Sequence, residues 1–135
     1  MEKLDAEGSC LCGTVHWSFK GETDSATACN CTACRRYGAL WVYGCLGQEI
    51  QVEGDTRFFD RGGKTLEFHF CANCGCVAYW LGKNLNEAGL RRIAVNVRLA
   101  LDPEKVERLS IRHFDGLNEF DDLPLDGKCV KDLWF

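Results

Sequence analysis

The run Cys29-Asn30-Cys31-Thr32-Ala33-Cys34, followed by Arg35 and Arg36, decides how the rest of the chain is read. A lone cysteine packs as a small hydrophobe, but packing gives no reason to set three polarizable, ionisable sulfurs side by side. Thiolates this close repel one another unless a cation stands between them. A divalent soft or borderline metal meets that need, and Zn2+ is the commonest. Three ligands from one tight loop leave one tetrahedral position to be filled from elsewhere.

Outward from this run lie two more clusters, Cys10-Leu11-Cys12-Gly13 and Cys71-Ala72-Asn73-Cys74-Gly75. The chain has ten cysteines in 135 residues, which fits either a secreted disulfide scaffold or a reduced metal protein. Spacing separates the two. A disulfide needs Cα atoms roughly 4.4–6.8 Å apart with facing Cβ vectors, which neighbours in one short loop satisfy poorly. A knuckle turn instead aims two sulfurs at one point. The segment Met1–Gly8 holds no apolar stretch, so no signal peptide is expected. The apolar run Ala39–Leu46 is too short to span a bilayer. A cytoplasmic protein follows, with no membrane partner. The net charge of -4 gives no general attraction to nucleic acid, and the pair Arg91-Arg92 is too small to supply one.

The clusters sort into two sites. Cys10, Cys12, Cys71 and Cys74 make a closed set of four thiolates, and such sites are structural and contribute folding free energy. A glycine after each pair lets backbone N–H groups point at sulfur. Cys29, Cys31 and Cys34 remain, either as a three-ligand site with an exchangeable fourth position or as a site closed by Cys45, Cys76, Cys129 or a histidine. An exchangeable position is the catalytic arrangement. His16 and His69 read as ordinary strand residues, with His69 also placed to support a Cys71 ligand. His113 is placed to approach the open site. Arg35 and Arg36 either attract an anionic substrate or form a solvated pair.

Short β-forming runs separated by glycine turns predict a mainly β fold. They are Thr14–Phe19, Leu40–Leu46, Glu49–Glu53, Arg57–Asp60, Leu66–Phe70, Val77–Leu81 and Arg92–Val97. Asp102-Pro103-Glu104 starts one short helix, and Thr32–Tyr37 one helical turn. Leu85–Gly89 reads as a loop. No linker divides residues 1–135, so one zinc-binding domain is expected. Leu123, Leu125, Leu133, Trp134 and Phe135 predict a C-terminal tail packed along it.

Gly8-Ser9-Cys10-Leu11-Cys12-Gly13, Cys29-Asn30-Cys31-Thr32-Ala33-Cys34-Arg35 and Phe70-Cys71-Ala72-Asn73-Cys74-Gly75 resemble, in order and spacing, the glutathione-dependent formaldehyde-activating enzyme family, which includes centromere protein V. The resemblance runs over about residues 6–115. It implies several small coiled antiparallel β-sheets around zinc knuckles, as in methionine sulfoxide reductase B and a Rab-binding accessory factor. It implies two Zn2+ per chain, structural on Cys10, Cys12, Cys71 and Cys74, and catalytic on Cys29, Cys31 and Cys34. The activity implied is carbon–sulfur lyase chemistry on a thiol–aldehyde adduct, with glutathione or another thiol and formaldehyde or a related aldehyde as small-molecule partners. Two other readings stand beside it: a non-catalytic zinc-stabilised binding module, and a thiol redox or metal-handling protein. Cys76 is an extra thiol that the family pattern does not require.

Overall fold

The computed structural model describes residues 1–63 and 65–133. Its strands are β1 (Lys3–Ser9), β2 (His16–Glu22), β3 (Ser25–Cys29), β4 (Trp41–Cys45), β5 (Ile50–Glu53) and β6 (Thr56–Phe59). They continue with β7 (Leu66–Cys71), β8 (Val77–Leu85), β9 (Arg91–Asn96), β10 (Ser110–Asp115) and β11 (Asp121–Asp122). One α-helical turn, α1 (Cys34–Tyr37), follows the cysteine run, and Gly38 closes it in the left-handed region at φ 63°. Three short 3-10 turns complete the described elements.

The mainly β expectation holds. The strands form two sheets, a small one in the order β1-β2-β5 and a large one in the order β11-β10-β3-β4-β9-β8-β7-β6. One pair departs from the antiparallel rule. β10 runs parallel to β3, with Phe114 opposite Cys29. This pairing brings a late segment of the chain beside the cysteine run.

Side-chain alternation explains how the large sheet is covered. Successive strand residues face opposite ways. Val42, Ile93, Val95 and Tyr79 point into the main core, which they share with Trp17, Phe19 and Ile50 of the small sheet. Trp41, Phe68, Trp80 and Ala94 point the other way, into a second cluster with Cys34 and Ala39. The central strands β4, β8 and β9 are therefore apolar on both faces, which is why they read as nearly continuous hydrophobic runs.

Four strands, β1, β3, β10 and the two-residue β11, lie outside the runs that the sequence pattern marks as β-forming. β1 buries Leu4, Ala6 and Gly8, alternating with exposed Lys3, Asp5 and Glu7, and Gly8 faces Trp17 across the β1–β2 pair. A Cβ at Gly8 would collide with the Trp17 indole, so the small residue is demanded by the ring. β3 is Ser-Ala-Thr-Ala-Cys, a run without the large or branched residues that signal a strand. Asp102 caps its turn by accepting from Glu104 N at 3.1 Å, but the helix is a single 3-10 turn, Pro103–Lys105. In the tail, Val130 is buried and Leu133 packs on the core, whereas Leu123 and Leu125 are exposed. Trp134 and Phe135 lie outside the described residues.

Candidate functional site

Cys10 and Cys12 leave the end of β1, and Cys71 ends β7. Both turns use the same hydrogen-bond plan. Cys10 N donates to Val15 O and Cys71 N donates to Cys76 O, each at 3.0 Å. Gly13 and Gly75 take φ of 85° and 82°, the left-handed region that L side chains enter at a cost. The two knuckles face each other. The Sγ atoms of Cys10, Cys12, Cys71 and Cys74 all lie within 4.8 Å of one another. Cys12 Sγ is 3.6 Å from Cys10 Sγ and 3.5 Å from Cys71 Sγ.

A tetrahedral site with metal–sulfur distances of about 2.3 Å has sulfur–sulfur edges of about 3.8 Å, so this donor set fits zinc. The local electrostatics point the same way. The Thr14 hydroxyl and the Asn73 side chain pull the Cys12 thiol down to about 5. The backbone N–H of Cys76 pulls Cys74 down to about 7. Val15 N also donates to Cys10 Sγ at 3.2 Å. These donors favour the thiolate, the form a metal binds.

The second set lies across the large sheet. Cys29 ends β3, Cys31 stands in the turn and Cys34 opens α1. Their sulfurs also lie within 4.8 Å of one another, and among the described residues no fourth Cys, His, Asp or Glu joins them. Cys34 N donates to Cys31 Sγ at 3.3 Å, and buried Trp41 Nε1 donates to Cys34 Sγ at 3.4 Å. Cys29 and Cys34 titrate as a pair. Hydrogen bonding from Cys34 pushes Cys29 down to about 5, and that same bond, with burial, pushes Cys34 up. Between these two thiols the proton stays on Cys34.

Asn30 anchors the run from outside. Its backbone N donates to Phe114 O, and its Nδ2 donates to Asp115 Oδ1 at 3.0 Å. Asp115 is buried and also accepts from Asn118 N and Glu119 N, each at 3.1 Å. These bonds, Glu119 N first and then Asn30, hold its carboxyl below the usual range. Gly116 follows, and a Cβ there would lie 2.7 Å from Cys29 Sγ. The loop after β10 is thus moulded onto the cysteine run. It carries Phe120 at φ 55°, a left-handed conformation that costs a bulky residue roughly 1–2 kcal/mol.

The three sulfurs sit at a cleft of about 700 Å³. Its wall is aromatic, with Trp41, Tyr43, Phe68, Trp80, Phe114 and Phe120. Among the described residues its charged lining is Arg61, Arg92, Arg112 and Asp122. The volume is within the range of small-molecule sites. A smaller cavity of about 230 Å³ lies against the small sheet, beside His16 and Glu53.

Several expected residues are placed elsewhere. Arg35 and Arg36 ride on α1 and are not part of the cleft lining; Arg36 Nη1 donates to Thr32 O at 2.9 Å. His113 pairs with Asp126 at 2.9 Å instead of facing the sulfurs. His69 does not support Cys71. Its ring bonds Thr56 and Glu67 and stacks on Tyr79. His16 pairs with Glu53 near solvent. Cys45, Cys76 and Cys129 join neither cluster. Arg61, Arg92, Arg112, Asp115 and Gly116 are functional candidates that the sequence reading missed. Arg92 had a signal, since it lies on the Trp80-flanking strand at the phase opposite buried Ile93; the others depend on chain reversal.

Fold and clusters together define a mainly β protein with two cysteine sets able to hold metal ions, one of them beside a large cleft. The chain belongs to the glutathione-dependent formaldehyde-activating enzyme family, whose sequence profile matches residues 5–107. Among solved structures, the crystal structure of a Rhodobacter sphaeroides protein is similar at a TM-score of 0.57 and 24% identity. The match covers 73% of this chain and 92% of that one, and it speaks to the fold. No curated protein matches the chain. Among the described residues, no helix is long and apolar enough to cross a membrane.

Proposed function

We propose that this protein is a zinc-dependent carbon–sulfur lyase that makes and breaks the adduct of a small thiol with an aldehyde. The observation that carries the reading is a set of three converging cysteine sulfurs at the edge of a cleft large enough for a small molecule. Family membership supports this reading through its association with glutathione and formaldehyde, which we take, or a related pair, as the substrates.

Cys10, Cys12, Cys71 and Cys74 would hold a structural zinc that ties the end of β1 to the end of β7. Cys29, Cys31 and Cys34 would hold the second, which when bound offers a coordination position that acidifies a thiol and polarises an oxygen. The chain's own residues do the rest. Trp41 Nε1 and the backbone N–H of Cys34 fix the sulfurs and stabilise their negative charge. The aromatic wall excludes water from one side of the reacting centre. The arginines of the cleft attract acidic substrates. The reaction forms one carbon–sulfur bond as the carbonyl π bond breaks, and the thiol proton ends on the carbonyl oxygen. Ten unpaired cysteines support a reducing, cytoplasmic setting.

The test pairs metal analysis with catalysis. Wild-type protein purified without chelator is expected to hold about two zincs per chain. Cys31→Ser is expected to hold about one, to keep its fold through the other cluster, and to lose acceleration of S-hydroxymethylglutathione formation. Full activity in Cys31→Ser would overturn the proposal.

A further inference from the structure

Resting on the thiol–aldehyde reading above, we infer that the carbonyl partner selected by this cleft is an aldehyde with a flat apolar body and a carboxylate. Formaldehyde offers neither ring nor charge, and glutathione has no aromatic group. Yet six aromatic side chains line the cleft beside the three sulfurs. Phe114 and Phe120 meet edge to face at 4.9 Å between centroids. Phe120 remains largely exposed in its left-handed conformation, an apolar ring held at the rim where a bound ring would cover it. Strain kept at a cleft rim is the kind that a binding role sustains.

The charge pattern adds the acid. The chain carries a net charge of -4, but among the described residues the cleft lining has three guanidiniums against the single carboxylate of Asp122. None of the three arginines makes an ion pair with a described carboxylate. Arg61 is engaged by Thr32 and Arg112 by Ser25. The Arg92 side chain donates no hydrogen bond to a described residue. Its guanidinium lies over the Tyr43 ring at 5.6 Å and the Trp80 ring at 5.7 Å. Two aromatic faces therefore orient Arg92 while its N–H donors stay available for a carboxylate. A ring carried on the same ligand would rest on the neighbouring wall. The sulfur–carbon bond is then made at the aldehyde end, with the thiol proton passing to its oxygen and no redox partner needed.

The probe is 4-(hydroxymethyl)benzoate, an unreactive alcohol with the required ring and acid, read by quenching of cleft tryptophan fluorescence in the metal-loaded protein. Benzyl alcohol is the neutral counterpart. The acid is expected to bind at least about tenfold tighter than the alcohol, as for a charge-assisted Arg–carboxylate contact. Arg92→Met is expected to erase that preference and leave benzyl alcohol binding unchanged. Equal binding of acid and alcohol to wild-type protein overturns the inference, whatever the variant does. Retention of the preference in a folded Arg92→Met also overturns it. Turnover separates the two proposals. Formaldehyde–glutathione turnover without acid binding sinks the inference and leaves the lyase reading intact. Arg92-dependent acid binding, with glutathione forming an adduct from neither 4-formylbenzoate nor formaldehyde, leaves the ring-and-acid binding site standing and sinks the lyase reading together with the aldehyde assignment.

Discussion

Gly116 offers the sharpest test of how the second cysteine set is held. The residue has an ordinary backbone, so in open space Gly116→Ala would stabilise the fold by about 0.4–1 kcal/mol through the unfolded chain. The space is not open. The new Cβ would lie 2.7 Å from Cys29 Sγ and 3.1 Å from Cys31 Cβ. Non-bonded contacts relax at about 3.5–4.0 Å, so the sulfur must retreat by roughly 1 Å. Metal–ligand distances tolerate about 0.2 Å. Cys29 would drop out of register with Cys31 and Cys34, and a loss of about 10–100-fold in metal affinity is a lower bound, being the effect of disturbing only a ligand's support. The Cys10/Cys12/Cys71/Cys74 cluster is remote from the change and serves as an internal control. The assay is metal content per chain along a chelator titration. Wild type should release its metals in two steps, and Gly116→Ala should lose the weaker one at a lower chelator concentration. Identical release curves would falsify the packing argument.

Three further outcomes are expected. Cys74→Ser should lower the melting temperature sharply and remove one metal, because that cluster joins distant strands, whereas Cys45→Ala should shift stability by about 1 kcal/mol or less; calorimetry with metal analysis separates them. Asp115 has a depressed carboxyl pKa in the fold, so it stabilises above its unfolded value of about 3.9, and this contribution is lost as pH falls through the lower folded value. The melting temperature of Asp115→Asn should therefore lie below wild type near neutral pH, with the gap closing in acid; a gap that persists well below about pH 3 would show that the hydrogen-bond reading of Asp115 is mistaken. Gly8→Ala should destabilise by about 1–3 kcal/mol through collision with the Trp17 indole, measured by urea unfolding, and a neutral result would mean that the ring can swing away.

Both cysteine clusters are legible in residue spacing alone. A metal site asks for sulfur donors at short separation, and three such groups survive any detail of the fold. The strands with large apolar residues are equally plain, since β4, β8 and β9 are buried on both faces and β2 alternates. β1 and β3 escape the pattern because they are built from small or charged residues, with a glycine at Gly8 demanded by a ring on the next strand. That demand is a tertiary contact and has no local signature.

Which residues surround the second cysteine set was decided by the sheet. The sequence by itself determined the donor sets, the mainly β character and the apolar strands, because each follows from residue type and short-range periodicity. Only the tertiary structure decided the cleft. The parallel pairing of β10 with β3 carried Asp115, Gly116 and Phe120 to Cys29 from some ninety positions along the chain. The neighbouring strands set Arg92 against Tyr43 and Trp80, while α1 kept Arg35 and Arg36, the nearest arginines in sequence, out of the lining. Adjacency along the chain predicts ligands of one loop, but the walls of a cleft come from strand order and register, which long-range pairing sets.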